Sequence, residues 1–293
     1  MTLGKHPLQP SFPPKRIAAV ALAALVFCFA LGAAQPPVSD ILDQARTAFD
    51  ARYQPAQLAK AIALYESLLD QLSAFSTDRQ ALVLNRLSQL YYEQTEADGA
   101  QGDANRQRFE KGKGYGLRSL ELNPQFKAKE NGDFSAAAKA VSDSAALLWT
   151  ANNWGTLLGF LGLGGANQLG QVRALFERCL EVDESYWGAS CHNALGALLA
   201  TTPSFLGGNF DQAKEHLNRA VKLAPDYLTN HTAVAEFLGF THDLFGKVNG
   251  VRDRSLVQSE RQFVLDAPIG DWPFWNRLAQ TKAQALLDLL KKY

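Results

Sequence analysis

The clearest hydrophobic pattern in the chain runs from Gly207 to Phe240, GGNFDQAKEHLNRAVKLAPDYLTNHTAVAEFLGF. Phe210, Ala213, Leu217, Ala220 and Val221 recur at helical spacing and define one apolar face. Lys214, Glu215, Arg219 and Lys222 lie on or near the other face. Pro225 lacks an N–H and its ring clashes with the preceding turn, so the helix ends there. Ala224-Pro225-Asp226 makes a tight turn, and a second helix continues to Phe240. The small side chains of Ala213 and Ala220 let a neighbouring helix come close. Such a hairpin cannot bury its face alone and needs stacked copies.

The copies are visible along the chain. Ser39 to Tyr53 carries Ile41, Leu42, Ala45, Ala48 and Phe49 on one face. After Pro55, a strongly amphipathic helix is traced by Leu58, Ala61, Ile62, Tyr65, Leu68, Leu69 and Leu72. Thr77 with Gln80 three residues later predicts a capping box opening a third helix. Glu96 to Asp103 reads as a polar turn. Asn105 to Leu122 is helical again, with Gly112, Gly114 and Gly116 pointing to close helix approach or a local break. Asn123-Pro124 ends it, Lys127 to Gly132 reads as a polar loop, and Asp133 caps a fifth helix running through Phe134, Val141 and Trp149. Gln171 to Val182 and Tyr186 to Ala200 form a pair around Asp183-Glu184. Arg254 to Asp266 is a further helix. Trp272 to Tyr293 closes the chain, with Trp275, Leu278, Ala279, Lys282, Leu286, Leu289 and Leu290 on its packing face.

No segment alternates with period two over strand length, and β-branched residues are sparse beside alanine and leucine. The expectation is an all-α protein of irregular tetratricopeptide-like helical hairpins. The helix-ending turns at Asn123-Pro124, Asp183-Glu184, Ala224-Pro225 and Ala267-Pro268 are unevenly spaced, wider than the ~34 residues of an ordinary array. One closed helical domain over residues 35–293 is therefore expected rather than an open superhelix.

At 47% hydrophobic over 293 residues the chain can bury a sizeable core. Formal net charge is zero, which provides no basic surface for nucleic acid. The N-terminus modifies that balance. Lys15-Arg16 precedes the apolar run Ile17 to Leu31, and Gly32-Ala33-Ala34 follows. A positive flank, a short apolar run and small residues read as an export signal over residues 1–34, cleaved after Ala34, placing the protein in the periplasm. Its removal takes away Lys5, Lys15 and Arg16 but no acidic residue, so the mature chain is slightly acidic. The alternative is a membrane tether, through an uncleaved signal or a lipidated Cys28. Phe27 is large where lipidation wants a small residue.

Motifs for chemistry are thin. The sequence contains no HExxH or CxxC. His216 sits beside Lys214 and Glu215 on a solvated face, and His231 and His242 could share a helix face. No metal site is expected. Gly159 to Gly170, GFLGLGGANQLG, lacks the preceding strand and the lysine of a phosphate loop, so no cofactor is expected. Ser185 and Ser190 have no nucleophile elbow around them. Nothing here supports an enzyme. Cys179 and Cys191 are equidistant from Ser185 in the turn, so they either bridge the hairpin by a disulfide or pack its seam as thiols. Trp149, Trp154 and Phe160 cluster with leucines around Asn152 and Asn153, in a stretch too short to span a bilayer. Two readings stand: the wall of an apolar groove whose asparagines fix a ligand, or core plus a turn whose asparagines cap backbone.

With these residues laid out, the chain resembles the T-component family of TRAP-type transporters. The carrying segments are ALLWTANNWG (Ala145 to Gly155), GGNFDQAKEHLNRAVKLAPDYL (Gly207 to Leu228) and WNRLAQTKAQALLDLL (Trp275 to Leu290). The resemblance implies an exported, non-enzymatic accessory of solute uptake. It implies a periplasmic solute-binding protein as partner, a homotrimer, and a pore-like apolar cavity in each subunit. A ligand held near Trp149, Asn152, Asn153, Trp154 and Phe160 is the expectation at residue level. The runner-up is a general tetratricopeptide-like scaffold for envelope assembly. The large Phe27 before Cys28 departs from the lipoproteins common in the family.

Overall fold

Apolar residues at helical spacing build the chain, and side-chain caps decide where each helix starts. The computed structural model describes residues 37–99, 102–243 and 246–293. The expected export signal, its expected cleavage point and Cys28 lie outside the described residues. Helix α1 (Val38–Asp50) buries Leu42, Ala45, Ala48 and Phe49. Helix α2 (Pro55–Glu66) starts on Pro55, whose missing N–H costs nothing at a first helical position. Its apolar run then tightens into a 3₁₀ segment, Leu69–Ala74, instead of continuing as one helix. Helix α3 (Thr77–Asp98) carries no side-chain cap, so the expected capping box does not form. Gln80 instead donates from Nε2 to the Phe75 carbonyl at 2.8 Å. Gly99, at φ 55°, ends α3 in the left-handed conformation that glycine adopts without strain.

Helix α4 (Asp103–Leu120) stays helical through its three glycines. The expected polar loop after Asn123-Pro124 is a short helix, α5 (Pro124–Lys129), because the Asn123 side chain accepts from the amides of Gln125 and Phe126. The expected long fifth helix is two: α6 (Phe134–Lys139), capped by Asp133, and α7 (Ser144–Leu161). Asp143 divides them, since its carboxylate accepts from the amides of Ala145 and Ala146 and restarts the helix. A 3₁₀ segment, Gly162–Gln168, leads into α8 (Leu169–Val182), α9 (Tyr186–Thr201) and α10 (Phe210–Leu223).

The second helix of the Gly207 to Phe240 hairpin reaches nearly to the end of its pattern but changes type on the way. Helix α11 (Thr229–Ala233) passes into a π-helical turn, Val234–Leu238, and the helical path ends with Gly239. A Cβ at Gly239 would overlap Val257, and the Gly239 carbonyl accepts from the amides of Arg252 and Asp253. A small antiparallel pair follows, β1 (Phe240–His242) with β2 (Val248–Val251), pairing Phe240 with Val251 and Thr241 with Gly250. These strands are too short for alternation to show. Helices α12 (Arg254–Asp266) and α13 (Pro273–Lys292) complete an otherwise helical architecture.

Neighbouring helices pack as hairpins: α1 with α2, α3 with α4, α9 with α10, and α12 with α13. Helix α7 lies among α3, α4, α8 and α9, which is why it is apolar nearly all round. One large core cluster runs from Leu42 through Trp149 to Trp275, and smaller clusters serve the last third of the chain. Residues Pro37–Tyr293 cluster as one compact unit.

Candidate functional site

Small side chains leave a cavity where the packing of α7 against α9 meets α3, α11 and α13. Its volume is about 310 Å³, at the lower end of small-molecule sites. Ala151 and Gly155 on α7, Ala194 and Ala197 on α9, and Ala233 on α11 provide the space. The wall is aromatic. Trp149 and Trp275 stack with ring centroids 6.3 Å apart, and Tyr92 lies 6.1 and 6.2 Å from them. Tyr227, Phe176 and Phe237 complete the ring surface.

Helical periodicity sorts the expected site residues. Positions 149, 152 and 156 share one face of α7, and 150, 153 and 157 fall on another. Trp149 and Asn152 line the cavity together with Thr156. Asn153 points the other way and is fully buried; its Nδ2 donates to the carbonyls of Ser88, at 3.0 Å, and Trp149, at 2.8 Å. Trp154 packs outside the cavity. Its Nε1 donates to Gln168 Oε1 at 2.7 Å, its ring meets Phe134 edge-on, and Lys113 Nζ sits 3.7 Å over it. Phe160 is 43% exposed, at the end of α7 beside Phe109. The two readings of the asparagines therefore divide: Asn152 faces open space, and Asn153 serves backbone.

The start of α9, next to the lining residue Ser190, is strained. Trp187, Gly188 and Ala189 take φ of 51°, 65° and 59°, a left-handed start to α9 that costs a non-glycine residue about 1–2 kcal/mol. Gly188 is required by space as well as by φ, since a Cβ there would sit 2.6 Å from the Tyr227 ring. Asn230 holds the turn, donating from Nδ2 to the carbonyls of Gly188 and Ala220, both at 3.0 Å. Ser190, next along, faces the cavity.

The cavity also holds charge. Glu96 and Lys282 line it, and Lys282 Nζ reaches Glu236 at 2.6 Å. Burial opposes the Lys282 ammonium, but Glu236 and then Glu96 outweigh it and hold its pKa above the ordinary value. Lys282 keeps 42% of its side chain accessible although protein surrounds it, because the cavity opens onto it. Burial raises the pKa of Glu96, with Lys282 opposing and Glu236 adding to the rise. Burial likewise holds the Tyr92 phenol well above its usual range. Glu96, Tyr227, Trp275 and Lys282 were not among the sequence-derived site residues. One signal was present: Lys282 interrupts the otherwise apolar face of α13, and a cation so placed needs a partner.

Away from the cavity, Cys179 and Cys191 form a disulfide between α8 and α9, with Cα atoms 6.2 Å apart. His216 is not on a solvated face: it is half-buried and shares a 2.8 Å hydrogen bond with His192. His231 and His242 do not share a helix face. His231 bonds Glu260 at 2.6 Å and stacks on Phe263, whereas His242 sits in β1. Among the described residues, no three His, Cys, Asp or Glu side chains gather to hold a metal ion. Among them too, no helix is long and apolar enough to cross a membrane.

Fold and cavity together define a helical-hairpin protein with an aromatic-walled cavity between its helices. The family model of the TRAP transporter T-component matches residues 56–293. That span is most of the chain, and the protein belongs to the TRAP transporter T-component family. It is thus an accessory of a TRAP transporter and associates with components of that system. A comparison with curated proteins returns no match.

Proposed function

We propose that this T-component is exported to the periplasm, docks the solute-binding protein of its TRAP system as a homotrimer, and receives the apolar part of a ligand in the cavity. The observation that carries this reading is the cavity itself, walled by Trp149, Trp275 and Tyr92 and reached by Asn152. A general envelope scaffold calls for an extended concave groove and has no use for a compact pocket between aromatic rings. No catalytic group takes part.

Docking needs an exposed apolar surface. Phe160 is 43% and Phe205 72% exposed, large values for phenylalanine, and Leu161 adjoins Phe160. Gly159, Gly162, Pro203 and Leu206 line one shallow depression, which brings the two segments together. The test is capture of the solute-binding protein of the same TRAP system by Phe160→Glu/Phe205→Glu. Capture is expected to fall at least about tenfold, with thermal unfolding unchanged because both rings are exposed. Undiminished capture would remove this face from the docking reading. Native mass read on the same sample reports the trimer, and its loss would assign the patch to contacts between copies.

A further inference from the structure

We propose that the cavity selects a ligand bearing a positively charged nitrogen on an apolar stem, an amphiphilic amine rather than a carboxylate. The proposal rests on the reading that a ligand enters this cavity, and specifies its chemical class.

Charge and ring placement both point this way. Only two charged side chains line the cavity, Glu96 and Lys282. Lys282 is already matched by Glu236, 2.6 Å away. Among the described residues, no side chain makes a hydrogen bond or ion pair with Glu96. The local group of two carboxylates and one ammonium therefore has a surplus negative charge, and Glu96 presents it to the open space. His242, which faces Glu236 from β1, adds no compensating charge: burial lowers its pKa and keeps the ring neutral near pH 7. Burial raises the Glu96 pKa, Lys282 opposes the rise and Glu236 adds to it, so a cation brought to Glu96 would favour its ionised form.

The rest of the wall suits a cation. Tyr92, Trp149, Trp275, Tyr227 and Phe237 supply aromatic rings, whose faces attract ammonium groups. Lys282 Nζ already lies 5.9 Å from the Phe237 centroid. Asn152, Asn193, Thr156 and Thr201 are polar but neutral, so they orient a ligand without choosing its sign. A carboxylate entering the cavity would meet Glu96 and a lysine already neutralised by Glu236. An amine would meet, among rings, a carboxylate that no side chain hydrogen-bonds.

The experiment is calorimetric titration of the protein near neutral pH with three ligands on one stem: 4-phenylbutylamine, 4-phenylbutan-1-ol and 4-phenylbutyrate. The amine is expected to bind about tenfold tighter than the alcohol, with the carboxylate weakest. Glu96→Gln should abolish the amine's advantage over the alcohol measured on the same variant, and a thermal unfolding transition like that of the unsubstituted protein shows that the variant is folded. Lys282→Gln removes the competing cation and should move amine affinity the opposite way, upward. Equal binding of all three, or tightest binding of the carboxylate, would overturn the charge preference while leaving the cavity reading intact. Absence of binding by all three would overturn both. An amine preference that survives Glu96→Gln would also overturn it.

Discussion

At the scale of single residues, the chain's most exacting element is a buried ion pair. Arg52, from the turn after α1, donates from Nε to Glu93 at 2.6 Å, and its side chain is only 11% exposed. Glu93 on α3 is completely buried and accepts as well from Gln89 and from the indole of Trp275 on α13. Three regions distant in sequence thus converge on one carboxylate. The Arg52 guanidinium also lies 3.9 Å over the Phe49 ring. Removing one partner would strand the other charge in the core. Glu93→Leu is expected to cost about 3–5 kcal/mol, read as urea-unfolding free energy. Arg52→Met/Glu93→Leu should recover most of that loss, because the desolvation cost disappears with both charges. If the double variant is as unstable as the single one, the pair is not what Glu93 contributes.

At the scale of elements, the contact between α4 and α7 depends on glycine. A Cβ at Gly112 would overlap Asn153, and one at Gly116 would overlap Thr150. Helix α7 therefore lies against the bare backbone of α4. Gly114, two positions away, has no atom within 4 Å of its Cβ position. The helix propensity gain is the same for both, so opposite signs are expected. Gly114→Ala should stabilise by up to about 1 kcal/mol, and Gly112→Ala should destabilise by about 1–3 kcal/mol through overpacking. Urea unfolding of both variants checks this, and stabilisation by Gly112→Ala would mean that the helices can part without cost. The three alternate glycines announce this contact in the sequence. Which of them touch α7 depends on how the two helices cross.

At the scale of the whole molecule, the pH dependence of folding follows from the cluster joining α9 and α10. Burial lowers the pKa of His192, partly offset by Glu184, and burial followed by the neighbouring His192 lowers that of His216. Glu215, Glu177, Arg173 and Arg219 are the other charges facing the pair. In the unfolded chain both rings take up protons at about pH 6.5, before the folded ones do. Their contribution is therefore present above about pH 6.5 and lost as the pH falls through the lower folded values. Glu184, bonded first by Arg219 and then by His192, is held down to about 2. Its contribution is present above its unfolded value and fades only as pH falls towards about 2. Urea midpoints from about pH 8 to about pH 5 should decline below about pH 6.5. His216→Gln should flatten that decline, and an unchanged slope would exclude the pair as its source.

The sequence by itself determined the helical class and the hairpin built on Phe210 to Val221, and it placed Cys179 and Cys191 opposite each other across a turn, while their bonding was decided by the structure. These depend on spacing within one or two adjacent helices, which a linear pattern records. It also marked α7 as unusual. Only the tertiary structure decided which residues of that stretch face open space. Trp149 and Asn152 do, while Asn153 and Trp154 turn away, because the direction of each side chain is set by where α3, α4, α8 and α9 pack around α7. The cavity's charge is likewise a tertiary fact: Glu96, Glu236 and Lys282 come from separate helical segments, and no local pattern brings them together. Burial and long-range proximity arise only when helices close on one another, which is why the scaffold could be read from the chain and the chemistry of the cavity could not.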